Sequence, residues 1–361
     1  MSVATTSEPR PSQRPARASN DERLAGVGLL ARLLQRPELG ALIGALAVYL
    51  LFAAEDSSPG HLFTSIGGTQ NWTDAASSYG IMAVAVALLM IGGEFDLSAG
   101  VMTGTTGLLL GFFITREQAN VWAAIAVVMV FAALVGLMNG VLVVRTKLPS
   151  FIITLATFFV LRGVDVGVTK ILTNTVRFDI SDKAPGFTSA QSIFGSTWFA
   201  PYNFQDAVLW WIAITAIATW VLTQTTFGNW IYAVGGDANA ARSVGVPVSR
   251  TKIILFMYTA MSAALVGTMV ALRYKGIQSG QGVGQEFFYI IAAVVGGCLL
   301  TGGYGSAIGA SIGAAIIGIA QIGIIFANWQ SDWYYTFLGA ILFVAVLVNT
   351  LIRRRAASAR H

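Results

Sequence analysis

Apolar runs, most of them about 17 to 25 residues long, alternate with short polar stretches from residue 39 to residue 352. A helix needs about 20 apolar residues to cross a hydrocarbon core about 30 Å thick. Ten segments fit that description: 39–54, 77–93, 98–115, 121–144, 150–168, 207–223, 253–272, 287–300, 306–326 and 334–352. The pattern predicts an all-α polytopic bundle of about ten transmembrane helices filling residues 37–352. Residues 1–23 hold Pro9, Pro11, Pro15 and several Arg but no Leu, Ile or Phe, so they read as a disordered tail. In 24–36, Leu30, Leu33 and Leu34 fall on one side of a helix and Arg32 and Arg36 on the other. That stretch reads as a short amphipathic helix in the membrane interface, with a frayed start of the first span as the alternative. Residues 353–361 read as a basic tail.

Composition sharpens the picture. Of 361 residues 55% are hydrophobic and 11% charged, against about 25% charged in a soluble domain. Mean hydropathy is +0.69. The 39 glycines suit helices that approach closely. With one cysteine, Cys298, no disulfide forms within the chain, and His61 and His361 lie far apart, so a His/Cys metal site is not expected. No Gly-Lys dipeptide occurs, which excludes a standard phosphate loop. No cofactor and no nucleic-acid partner is expected.

Basic residues orient the bundle. With the N-terminus in the cytoplasm and spans alternating, inside segments hold fifteen Lys and Arg and outside segments six, with Arg162 inside a span. Both termini are therefore expected in the cytoplasm. The 169–206 loop is then external. Its Pro185, Phe187, Trp198, Phe199, Pro201 and Tyr202 suit either a docking surface or packing over the bundle.

Enzymatic constellations are scarce in the spans, and intramembrane charges are functional candidates by default. Glu94 and Asp96 sit in Gly-Gly-Glu-Phe-Asp-Leu-Ser-Ala-Gly, residues 92–100. Asp96 reads as a cap for the next helix, beginning near Ser98 and Gly100, or as part of a permeation path. Arg162 and Asp165, three apart, read as an ion pair on one helix, or as substrate contacts. The interruption at Gly92-Gly93 has an echo 210 residues later at Gly302-Gly303, followed by Gly305. Paired, Gly-broken apolar segments point to a translocation pathway.

The inside loop 224–252 carries the densest local signals. Gly235-Gly236 permits a turn with unusual backbone angles. Asp237 is a good N-cap, and Ala238 to Ser243 form helix well. Gly245 and Pro247 end it. The residues alone leave a lever and a plain connector open.

The run Phe227-Gly228…Tyr232-Ala233-Val234-Gly235-Gly236…Ala240-Ala241-Arg242-Ser243-Val244-Gly245-Val246…Lys252 resembles the loop of ribose/xylose/arabinose-type permeases of bacterial ABC importers. Residues 92–100 resemble that family's Gly-Gly-x-Asp-Leu-Ser-x-Gly signature. Glu286…Ala292-Ala293-Val294-Val295-Gly296-Gly297 and Gly302-Gly303-Tyr304-Gly305 resemble its third block. The resemblance spans roughly residues 39–352. It implies a multi-pass permease in the bacterial inner membrane, in contact with lipid and paired with a second permease copy. It also implies separate cytoplasmic ATPase subunits and an external sugar-binding protein. Gly235, Gly236, Asp237, Ala240, Ala241, Arg242 and Gly245 would then form the coupling loop, and selectivity would rest mostly on the binding protein. A nucleoside or amino-acid cargo, an ATP-independent transporter and a membrane-embedded enzyme are the rival expectations.

Overall fold

The computed structural model describes residues 37–358, with side chains for residues 38–347. The expected tail at 1–23 and helix at 24–36 lie outside the described residues. The described chain is all-α apart from four strands of two or three residues. Its helices are α1 (Pro37–Glu55), α2 (Ile66–Ile91), α3 (Ala99–Thr115), α4 (Val121–Thr146), α5 (Ser150–Thr173), α6 (Phe187–Phe194) and α7 (Asp206–Gln224). They continue as α8 (Thr226–Gly236), α9 (Ala238–Ser243), α10 (Val248–Arg273), α11 (Gln285–Val295), α12 (Ala307–Phe326) and α13 (Trp333–Ser358).

Seven of these are long and apolar enough to cross a membrane: α1, α2, α4, α5, α7, α10 and α12. Three shorter apolar helices, at 99–115, 285–295 and 333–347, bring the apolar segments to the ten expected. Several bounds move. The second span begins at Ile66, not 77, because Ser65 caps it by accepting from Gly68 N at 3.1 Å, and polar residues such as Asp74 are buried inside it. The last helix runs on through Arg355 to Ser358, into the stretch expected as a basic tail.

α2 is the axis of the bundle, and every residue from Ile81 to Ile91 is buried. α12 lies against it with almost no gap. A Cβ on Gly318 would stand 2.5 Å from the Trp72 carbonyl oxygen, so only a glycine allows this approach. α4 and α10 meet similarly, with Gly136 against the backbone of Met257.

One end of the bundle carries a cap. β1 (Arg177–Asp179) pairs antiparallel with β4 (Gly276–Gln278), setting Phe178 opposite Ile277, both buried. β2 (Thr197–Trp198) and β3 (Phe204–Gln205) form a hairpin. Phe187 and Ala190 of α6 are buried, while Trp198, Phe199 and Tyr202 are exposed. The 169–206 loop thus both packs over the bundle and presents aromatic surface. Two carboxylates pin the cap to the spans: Asp74 accepts from Gln205 N at 2.9 Å, and Asp206 accepts from Ser196 N at 2.9 Å.

Beyond β4 the chain turns back into the bundle without helix. Gly282 packs against Gly100 and Thr103 of α3, where a Cβ would lie 2.2 Å from the Gly100 carbonyl oxygen. α11, only 11 residues long, starts from that depth.

Candidate functional site

At the end opposite the cap, α2 and α11 stop in the same way. Gly92 N donates to the Leu88 carbonyl, Gly93 N to Met90 and Glu94 N to Leu89. In α11, Gly296 N donates to Ala292, Gly297 N to Val294 and Cys298 N to Ala293. Gly93 and Gly297 take φ of 83° and 95°. Both ends are Schellman caps, in which a left-handed glycine returns two N–H groups to the last turn. The structural partner of Gly92-Gly93 is therefore Gly296-Gly297, not the Gly302-Gly303 expected from the sequence. That expectation failed because Gly302-Gly303 lies in the loop beyond the helix, with φ of 81° and 74°, where it has a different task.

That task is contact. Gly303 N donates to the Ile91 carbonyl at 2.8 Å, tying the two breaks together. A Cβ on Gly302 would meet Gly93 Cα at 2.8 Å, and one on Gly303 would meet Gly236 Cα at 2.8 Å. One on Gly235 would stand 1.7 Å from the Ile91 oxygen. Three glycine pairs from distant parts of the chain thus cross backbone to backbone. Gly235 and Gly236 close α8 in helical conformation, without the unusual angles expected of them. Their lack of a side chain serves close approach.

The stretch after α2 is held by a polar seam. Phe95 N donates to Ser150 Oγ at 3.0 Å and Leu97 N to Thr154 Oγ1 at 3.0 Å. Asp96 Oδ1 accepts from Ser98 N at 2.8 Å and Ser98 Oγ at 2.5 Å. Asn139 Nδ2 then donates to Ser98 Oγ, and Thr157 Oγ1 donates to Asn139 Oδ1 at 2.7 Å. Asp96 thus holds the turn that leads into α3, while the N-cap position itself is Ser98, whose side chain makes no capping bond. Glu94, next to it, forms an ion pair with Lys252 at the start of α10. Tyr232 of α8 donates its hydroxyl to the Gly305 carbonyl at 2.9 Å.

The loop itself is a compact knob. It holds two helices where the sequence suggested one, because Thr225 caps α8 by accepting from Gly228 N at 3.1 Å. Asp237 Oδ1 accepts from Asn239 N and Ala240 N at 2.8 and 3.0 Å, capping α9 as expected. Those backbone bonds, from Ala240 and Asn239, hold its carboxyl below the usual carboxylate range. Gly245, at φ 87°, ends α9 in a Schellman cap, with Gly245 N on the Arg242 carbonyl and Val246 N on Ala241. Ala241, expected at a partner-facing surface, is only 4% exposed and packs on Val234 and Val248. Six residues of helix turn one face inward, and Ala241 is on it. Ala240 and Arg242 face out, and Val244 stands 78% exposed at the tip.

Two other expectations change. Arg162 and Asp165 do not pair: Asp165 is buried against α3 and accepts from Thr105 Oγ1 at 2.8 Å, whereas Arg162 is exposed. Gly100 meets the descending segment, where a Cβ would touch Glu286 Oε2. Sequence reasoning missed the Glu94–Lys252 pair and Val244. Residues 158 positions apart leave no local trace, whereas an apolar residue beside a C-cap glycine was a visible signal.

Apolar spans with paired breaks, fastened by glycine to an exposed loop, define a membrane permease. The family described as the permease component of a branched-chain amino acid transport system matches residues 68–346, and the chain belongs to that family. The chain is similar to the ribose import permease protein of Escherichia coli K12, 32% identical over 308 residues, covering 84% of this chain and 92% of that protein. It is 30% identical over 280 residues to the fructose import permease protein of Rhizobium meliloti, covering 77% and 76%. With the xylose transport system permease protein of Escherichia coli K12 it shares 29% over 370 residues, covering 87% and 92%.

Proposed function

We propose that this chain is the membrane-spanning subunit of an ATP-driven importer for a monosaccharide. The glycine crossing carries the mechanistic part of this reading. A displacement of α8–α9 is transmitted through rigid backbone contacts to the ends of both α2 and α11, the packed-element shift by which such assemblies switch. The cargo rests on the named relatives, whose printed substrates are ribose, fructose and xylose.

In this reading two copies of the chain sit in the bacterial inner membrane with both termini in the cytoplasm. Two cytoplasmic ATPase subunits grip the exposed face of α9, and an external binding protein delivers sugar to the cap end. The chain itself hydrolyses nothing. Gly92, Gly93, Asp96, Ser98, Gly100, Gly302, Gly303 and Gly305 hold the pathway breaks. Gly235, Gly236, Asp237, Ala240, Arg242 and Gly245 shape the coupling loop, with Ala241 as its inner packing residue.

The family description favours a second cargo, a branched-chain amino acid. Proteoliposomes containing this chain, its ATPase and its binding protein separate the two. ATP-dependent uptake of radiolabelled D-ribose, D-xylose or D-fructose, with none of L-leucine, is the expected result. Leucine uptake without sugar uptake would overturn the cargo. Uptake that needs an ion gradient and no ATPase would overturn the class.

A further inference from the structure

Beneath the cap the bundle holds a partly open cavity of about 430 Å³, within the roughly 300–1,000 Å³ usual for small-molecule sites. The stretch from Phe194 to Asp206 borders it at the cap, and α2, α10 and α12 supply its walls. The non-helical descent between β4 and α11 also lines it. Irregular backbone in a membrane protein is tolerated where it is buried in protein or lines a cavity, and here it lines this one.

The descent is built to present side chains. In Gly280-Gln281-Gly282-Val283-Gly284-Gln285 all three glycines take positive φ, 107°, 81° and 88°. Gln281 and Gln285 both line the cavity. Gln321 reaches it from α12, and its Oε1 is buried without a hydrogen-bond partner. A buried acceptor left unpaired costs free energy that an incoming donor recovers. Asn71, Ser78 and Tyr79 add an amide, a hydroxyl and a phenol from α2. Tyr79 also belongs to an aromatic group, 5.9 and 6.2 Å from the rings of Phe288 and Tyr289.

The carboxylates beside the cavity are otherwise engaged. Both oxygens of Asp74 take donors, Gln205 N and Gln70 Nε2. Asp206 Oδ2 takes the N–H and the hydroxyl of Ser196. These carboxylates fasten the cap; Arg273 borders the cavity as a cation, lying over the Tyr274 ring, and the other groups are neutral donors and acceptors with an aromatic face. That set matches a small polyhydroxylated ring: amides pair with hydroxyls, and the ring's C–H face rests on an aromatic. An amino-acid zwitterion would instead leave its ammonium without a free carboxylate.

We infer that this cavity is a monosaccharide-binding site within a single permease chain, with Gln281, Gln285 and Gln321 reading the sugar's hydroxyls. The inference rests on the importer reading above and adds that the permease itself selects cargo.

The test is binding of radiolabelled D-ribose, D-xylose and D-fructose, with L-leucine alongside, to the full chain assembled with its ATPase in lipid nanodiscs, without binding protein. At least one sugar is expected to bind saturably and leucine not. Gln321→Leu, which keeps the side-chain volume, is expected to weaken that binding roughly tenfold, about what one lost hydrogen bond removes. Gln281→Leu serves as a second, independent variant should the first fail to assemble. Sugar uptake by the complete importer without direct binding, and unchanged in both variants, would overturn the inference while leaving the importer reading intact. Leucine binding that depends on Gln321 would overturn the inference. Leucine uptake with no sugar uptake would overturn the importer reading itself.

Discussion

The backbone N–H of Gly303 donates to the carbonyl of Ile91 at 2.8 Å, joining the loop after α11 to the last turn of α2. Gly235 lies against the same carbonyl. The end of α2, the loop after α11 and the end of α8 therefore share one oxygen as a neighbour. Interfaces packed this closely do not deform continuously, so they shift as units.

Gly235→Ala puts a Cβ 1.7 Å from that oxygen and forces the crossing apart. We expect destabilisation by roughly 1–3 kcal/mol, the usual range for overpacking, with loss of uptake. Gly236→Ala, with nothing within 4 Å of its Cβ, is the matched control. It should stay within about 0.5 kcal/mol of wild type. Thermal unfolding in detergent and uptake in proteoliposomes measure both. Equal behaviour of the two variants would remove the crossing from the mechanism.

Gly93→Val and Gly303→Val should reduce transport in protein that still inserts, because both positions hold positive φ. A β-branched side chain there is strained whatever the space around it. Wild-type uptake by both would refute a role for these two glycines in transport.

On the loop, Val244→Glu and Ala241→Glu should diverge. Val244 is exposed, so a glutamate there leaves the fold unaltered and weakens the grip of the ATPase. Substrate-stimulated ATP hydrolysis and uptake should fall together. Ala241 is buried against Val234 and Val248. A glutamate there places a charge in the loop's own small core, with a cost of several kcal/mol, and should lower thermal stability first. Normal coupling in Val244→Glu would mark the loop as a plain connector.

Glu94 and Lys252 are a largely buried pair, with side chains 9% and 19% exposed. Lys252→Met strands the carboxylate and should cost about 3–5 kcal/mol. The exchange Glu94→Lys with Lys252→Glu should restore much of it. A double variant no better than the single ones would show that the pair contributes little.

Topology is checked by thiol labelling in a Cys298→Ala background. Native Cys298 is 1% exposed, so its removal chiefly guards against labelling in opened protein. Ser189→Cys, on exposed α6 surface, should react with a membrane-impermeant maleimide from outside, and Val244→Cys only from the cytoplasm. The reverse pattern would invert the orientation drawn from the Lys and Arg distribution.

The ten apolar segments and the all-α class were legible in the sequence because a bilayer leaves a helix few other ways to satisfy its backbone. The ends of α9 were legible too, since Asp237 and Gly245 act within a few residues of themselves. The turn that Asp96 closes with Ser98 was legible by the same local logic. Tertiary structure alone decided that Gly235 meets Ile91, that Glu94 meets Lys252, and that Asp165 turns to Thr105 and not to Arg162. It also decided that Gly296-Gly297 matches Gly92-Gly93, and that Gln281, Gln285 and Gln321 surround one cavity. Local propensity acts over a turn or two of chain, whereas these contacts depend on which helices lie side by side. Glycine and glutamine carry little periodic signal of their own, so the sequence displayed them without saying what they would face.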